Sequence, residues 1–258
     1  MPKFDRNGVQ LYYEAHGEGP ALLLTHGFSA TCQMWKGQID ALAPLFTVIT
    51  WDMRGHGQSD YPEHLSAYSE EATVADMAAL LDHVGAQSAV IGGLSLGGYM
   101  SLAFHRAHPQ RTRALLIIDT GPGYKNDEAR AGWNKNALAR AERLEADGLG
   151  DLSKASAEVR QARHRDATGL ARAARGMLTQ RDARVIESLP DVRVPALVVV
   201  GENDTPFLAA SDYMAAKIPG AKKIVIASAG HAANIDNPQA FNEALAGFLK
   251  AARLAEAA

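Results

Sequence analysis

Residues 90–100 read VIGGLSLGGYM: an apolar run passes directly into a serine, Ser95, held between glycines. Gly93-Leu94-Ser95-Leu96-Gly97 has the G-x-S-x-G spacing, and small residues on both sides of the serine are what a sharp, strained turn from strand to helix requires. Such a turn lifts a hydroxyl above the edge of a sheet. A phosphate cradle is the competing use of a glycine-rich turn here, but the P-loop lysine is absent and the G-x-G-x-x-G spacing is not met.

Outward from this stretch, short apolar and often β-branched runs recur: ALLLT (21–25), FTVITW (46–51), SAVIGG (88–93), ALLIID (114–119), ALVVVG (196–201) and KIVIAS (223–228). Continuous apolar runs separated by helical patterns indicate strands buried on both faces, as in a parallel sheet. Alternating segments near 3–6 and 9–13 are expected to pair as an antiparallel hairpin on one edge. Between the strands, Ser69 followed by Glu70 and Glu71 starts one helix, with Val74, Met77, Leu81 and Val84 on its buried face. Asn237 and Pro238 open another, carrying Phe241, Leu245, Phe248 and Leu249; a third begins at Ser95 and must end before Pro109. The fold class is therefore α/β, a mostly parallel central sheet flanked by helices.

The stretch 121–190 breaks this alternation. It is rich in Ala, Arg and Glu, reads as helix, and holds no run suited to a buried strand. It is expected to form a helical cap inserted into a core domain made of residues 1–120 and 191–258. Its charges are of mixed sign, as on exposed helix faces laced with i,i+4 pairs rather than in an anion-binding patch.

A serine hydroxyl is a poor nucleophile at neutral pH, so Ser95 needs a histidine base and a group to orient it. His231, in SAGHAANIDNP, follows the last strand run and so lies on the same carboxyl edge of the sheet as Ser95, where open α/β sheets bind ligands. Asp204, in VVVGENDTPF, follows the penultimate strand run and gives the chain order Ser95, Asp204, His231; Glu202 and Asp119 are competitors for the acid. Acyl transfer also needs donors for a developing oxyanion. The backbone N–H of Leu96, at a helix N-terminus, and that of Phe28, in the loop His26-Gly27-Phe28-Ser29, are the candidates. His26 itself reads as a hydrogen-bonding stabiliser of that loop. WDMRGHGQSD (51–60) lacks the spacing of a metal-ligand set and reads as a rigid loop after a strand.

Composition narrows the partners. With 258 residues, 47% of them hydrophobic, the chain has the material for one sizeable core; a net charge of -3 lacks the electrostatic footprint of a nucleic-acid or anionic-membrane binder. The single cysteine, Cys32, rules out an internal disulfide and a cysteine metal cluster. The first residues carry no uninterrupted apolar stretch of the secretory kind, and no run approaches the ~20 apolar residues of a membrane span. A cytoplasmic location and a small-molecule partner are expected; the sequence leaves the oligomeric state open.

The anchors HGF (26–28), DMRGHGQSD (52–60), GLSLGG (93–98), GENDTPF (201–207) and GHAANIDNP (230–238) together resemble the α/β-hydrolase superfamily over nearly the whole chain. That resemblance implies a Ser95–His231–Asp204 triad. It also implies acyl-transfer chemistry, since dehalogenases and epoxide hydrolases of this superfamily carry an aspartate at the position of Ser95. The GLSLGG and NIDNPQAFNEALAGFL stretches are most similar to 3-oxoadipate enol-lactonases and related carboxylesterases. The expectation is a serine hydrolase of carboxylic esters or lactones that works without cofactor or metal. C–C bond (vinylogous diketone) hydrolysis and perhydrolysis are alternatives on the same triad, and a non-catalytic ligand receptor is the reading from another class. Tyr124, Trp133, Met177, Phe207 and Leu208 are candidates to line the substrate pocket, with Met34 and Trp35 approaching from the oxyanion loop; ordinary core packing competes for each.

Overall fold

The computed structural model describes residues 2–150, 155–252 and 254. The chain begins with the strands β1 (Lys3–Arg6), β2 (Val9–His16) and β3 (Ala21–Thr25), then α1 (Lys36–Leu42), β4 (Thr47–Trp51), α2 (Glu70–His83), β5 (Ala89–Leu94), α3 (Leu96–Ala107) and β6 (Thr112–Ile118). The helices α4 (Asp127–Asp147), α5 (Ala157–Gln161), α6 (Ala167–Gly176) and α7 (Arg184–Glu187) follow without a strand among the described residues; 151–154, inside the stretch expected to be the cap, lie outside them. The chain then completes β7 (Ala196–Gly201), α8 (Thr205–Lys217), β8 (Lys222–Ile226), α9 (Ala233–Asp236) and α10 (Pro238–Ala251).

The strands form one 8-stranded sheet in the order β1-β2-β4-β3-β5-β6-β7-β8. Only β1 and β2 run antiparallel to their neighbours. Alternate side chains feed two cores on opposite faces: in β3, Leu23 points into the one shared with α2 and α3, while Leu22 and Leu24 join the one beneath α1 and α10. Burying each such leucine contributes about 1.5–3 kcal/mol, which fixes the register of the central strands. The edge strand β8 departs from the expectation of burial on both faces, since Val225 is 46% exposed. An edge strand has one neighbour and less helix cover, so its apolar run overstates its burial.

Local signals account for the helix boundaries. The Ser69 hydroxyl accepts from the Ala72 N–H at 3.0 Å and Asn237 from the Ala240 N–H at 3.3 Å, capping α2 and α10. Phe241, Leu245, Phe248 and Leu249 are all buried on α10. The strand order reverses direction between β3 and β5, neighbours with Thr25 in register with Gly93. The loops leaving these two strands therefore open side by side at the topological switch point, where a doubly wound sheet forms its crevice.

Candidate active site

Ser95 sits between β5 and α3 with φ 56° and ψ −117°, a conformation that costs an L-residue energy and is held only because the surroundings determine it. Its N–H donates to the Ile118 carbonyl at 2.9 Å and its own carbonyl accepts from the Thr120 hydroxyl at 2.7 Å, so the end of β6 holds the turn from both sides. A Cβ on Gly97 would run into the Thr25 carbonyl, so only glycine lets the first turn of α3 lie against the end of β3. On the other flank, a Cβ on Gly27 would be 3.4 Å from Ser95 Cβ, which places the His26–Ser29 loop against the serine. Neither the Phe28 nor the Leu96 N–H donates a hydrogen bond to another described residue.

Asp204 and His231 come from the loops after β7 and β8, and His231 Nδ1 meets Asp204 Oδ2 at 2.8 Å. Asp204 is buried and the imidazole partly so. Burial disfavours the imidazolium, yet the Asp204 hydrogen bond and charge, helped by the charges of Glu158 and Asp119, outweigh it and hold the His231 pKa above its ordinary value. The Phe207 ring stacks on the imidazole, 5.2 Å between centroids. The Ser95 hydroxyl makes no hydrogen bond to a described residue, including His231; such contacts are commonly long before a substrate binds and tighten in the complex.

The two competing carboxylates are engaged elsewhere. Asp119 Oδ1 accepts from the Gly201 N–H at 2.7 Å and Oδ2 from the Ala233 N–H at 3.4 Å, tying the Asp204 and His231 loops together. Its complete burial, reinforced by the Asp204 charge, pushes its carboxyl well above the usual range despite the Gly201 hydrogen bond and the His231 charge. Glu202 accepts from the Ser228 N–H at 2.9 Å, fastening the loop after β7 to the one after β8.

His26 is fully buried, with Nδ1 on its neighbour's carbonyl, Gly27 O, at 2.7 Å and Nε2 accepting from the Met53 N–H at 3.0 Å. That pairing requires the neutral ring, and burial lowers its pKa to about 3. The DMRGHGQSD loop is fixed by Asp52, which accepts from the Cys32 and Gln58 N–H groups at 2.8 Å each, and by Arg54, which forms a two-pronged pair with Asp76 at 2.6 and 2.7 Å. No cluster of three or more His, Cys, Asp or Glu suited to a metal occurs among the described residues.

A cavity of about 100 Å³ opens at Ser95 and Leu96, lined by Tyr124, Trp133, Met177 and Phe207 together with Tyr99 and Gln180. Leu208 is not on its wall; it lies half-buried one position further along α8. Met34 and Trp35 are packed into the core beneath α1 and α10. Several neighbours of the site are invisible in local sequence. Thr120 acts on Ser95 only because β5 and β6 are adjacent. His164, from the helical segment, accepts from the Gly57 N–H at 3.1 Å and donates to the Ser29 carbonyl at 2.9 Å, and the Arg140 guanidinium lies 5.3 Å from the Phe28 ring centroid.

Residues 22–244 match the model of the alpha/beta hydrolase family. The chain belongs to that family. Among its relatives, this hydrolase is 27% identical to 3-oxoadipate enol-lactonase 1 of Acinetobacter baylyi over 95% of each chain. It is 30% identical to a protein named as the carbamate hydrolase RutD from Azorhizobium caulinodans, over 96% of this chain and 98% of that one. Among solved structures, a thermophilic esterase from Thermogutta terrifontis superposes with a TM-score of 0.83 at 30% identity, covering 97% of both chains. Among the described residues no helix of this hydrolase is long and apolar enough to cross a membrane.

Proposed function

We propose that the protein is a serine hydrolase of carboxylic esters or lactones working through Ser95, His231 and Asp204, with residues 121–190 as a cap over the site. The observation that carries this reading is the 2.8 Å His231–Asp204 hydrogen bond on the same sheet edge as the strained Ser95 turn. The enol-lactonase and the esterase among the relatives agree with it. With Nδ1–H held by Asp204, His231 presents Nε2 as the base that takes the Ser95 proton while Oγ attacks the carbonyl carbon. The Phe28 and Leu96 N–H groups receive the oxyanion, each such donor lowering the barrier by about 3 kcal/mol. Collapse expels the alcohol of an ester, or opens a lactone ring whose hydroxyl stays on the bound acyl chain, with the proton delivered to the leaving oxygen by His231. Water activated by the same imidazole then releases the acid from the acyl-enzyme.

Labelling with a fluorophosphonate, read by intact mass, tests the nucleophile. The wild type takes one adduct and Ser95→Ala takes none; an unlabelled wild type, or equal labelling of the variant, overturns the reading. A panel of simple esters, γ-lactones, acyl-homoserine lactones and vinylogous diketones then ranks the substrate classes, and preference for the diketones replaces ester hydrolysis by C–C cleavage.

A further inference from the structure

The cavity at Ser95 contains one amide that nothing in the protein uses. Gln180, 9% exposed, lines it from the segment after α6, yet its Oε1 has no hydrogen-bond partner and its Nε2 donates to no described residue. A buried amide oxygen left unpaired is costly, so its persistence calls for a reason. The backbone at this position is held firmly: Asn134 donates through Nδ2 to the Gln180 carbonyl and accepts the Gln180 N–H through Oδ1, both at 2.8 Å. Trp133, one residue earlier on α4, donates through Nε1 to the Leu178 carbonyl at 2.7 Å. The segment that carries the amide is thus locked to α4, and the amide is presented to the cavity from a rigid base.

The rest of the lining determines what this amide can read. Leu96, Trp133, Met177 and Phe207 supply an apolar surround, and none of the lining residues is Asp, Glu, Lys, Arg or His. Tyr99, another polar residue of the lining, already donates its hydroxyl to Glu70 Oε2 at 2.8 Å, which brings a carboxylate behind this part of the wall. A carboxylate on a substrate would meet no cation here, and a plain alkyl chain would leave the amide unsatisfied.

Resting on the acyl-transfer reading above, we propose that Gln180 is a specificity-determining residue. It selects substrates whose short acyl group carries a neutral hydrogen-bonding function, such as a primary amide, over both alkyl and anionic acyl groups of the same shape.

Three ethyl esters of matched acyl shape test this: ethyl succinamate, ethyl 4-methylpentanoate and monoethyl succinate, followed by ethanol release. The wild type is expected to give kcat/KM in that order, with the amide favoured over the alkyl ester by about tenfold or more. Gln180→Leu, or Gln180→Met if the first variant folds poorly, brings the amide-to-alkyl ratio to near one. An unchanged ratio in a folded variant, or a wild type that prefers monoethyl succinate or the alkyl ester, overturns the proposal. Fluorophosphonate labelling of the same preparations separates the two levels: labelled Ser95 with the wrong preference fails the Gln180 assignment alone, whereas absent labelling fails the acyl-transfer reading beneath it.

Discussion

At the carboxyl edge of the sheet, Asp119 and Glu202 bind backbone N–H groups of neighbouring loops and Asp204 binds the imidazole; in the helical segment between β6 and β7, Asp127 and Glu145 instead meet arginines at the surface. The first arrangement ties the loops that carry Asp204 and His231 to each other through two buried carboxylates, Asp119 and Asp204, with the exposed Glu202 adding a third link. In the second, each carboxylate is open to water. Directional bonds tie the helical segment to the core: His164 bridges Ser29 and Gly57, the Arg165 N–H donates to the Tyr61 hydroxyl at 3.1 Å and Arg172 donates to the Pro62 carbonyl at 3.1 Å, while the Asn134 clamp on Gln180 joins two parts of the segment itself. The residues proposed for bond cleavage are thus held by the core, and the segment between β6 and β7 contributes Tyr124, Trp133, Met177 and Gln180 to the wall of the cavity beside them.

Substitutions on the two sides should differ by orders of magnitude. Asp204→Asn leaves the shape of the site but removes the charge that holds the His231 tautomer, and turnover of a short-chain 4-nitrophenyl ester should fall by about 10⁴-fold. Because Asp204 also outweighs burial in raising the His231 pKa, the acid limb of the kcat/KM profile should move to lower pH in the variant. Activity within tenfold of wild type, or an unmoved limb, would assign the orienting role to another carboxylate.

An intermediate effect is expected where the segment is pinned. His164→Ala leaves the Gly57 N–H and the Ser29 carbonyl without their partner and should cost about 1–3 kcal/mol in urea unfolding at neutral pH. His26, His56 and His164 are all held neutral, chiefly by burial, with pKa values below the ordinary imidazole value. At these three positions the unfolded chain binds more protons than the folded one below about pH 6.5, so their contribution to stability falls as pH drops from there, against the opposite contribution of His231, whose pKa is raised. His164→Ala should flatten that fall; an unchanged slope between pH 7.5 and 5 would show that the bridge does not contribute to it.

The smallest effect belongs to the exposed pair. Arg175 grips Glu145 at 2.7 and 2.9 Å between α6 and α4, but both side chains reach solvent. Arg175→Ala should change the urea midpoint by less than about 1 kcal/mol, and less still at high salt. A larger loss would mean that the helical segment relies on its surface charges as the core relies on its buried ones.

Particular residues mark how far the sequence could be read. The Ser95 turn was legible because a steric demand for small residues leaves a local trace, and the strands because burial on both faces leaves continuous apolar runs. Phe207 and Trp133 stood out as large side chains near the right edge, and they line the cavity, whereas Leu208, one residue along the same helix, does not. A step of one residue turns a helical side chain by about 100°, so helix phase decided between them. Thr120, His164 and Gln180 left no signal, since their partners lie far along the chain.

The sequence by itself determined the α/β class, the strand-to-turn placement of Ser95, the candidate base and acid, and the helical character of the inserted segment. All of these follow from local sterics and from the periodicity of apolar residues, which act over a few neighbouring positions. Only the tertiary structure decided that Asp204 rather than Asp119 or Glu202 meets His231, that Thr120 holds the turn, and that an unpaired Gln180 faces the cavity. Hydrogen-bond partnership is a matter of distance in space, and strand order and helix phase set that distance for residues the sequence leaves far apart.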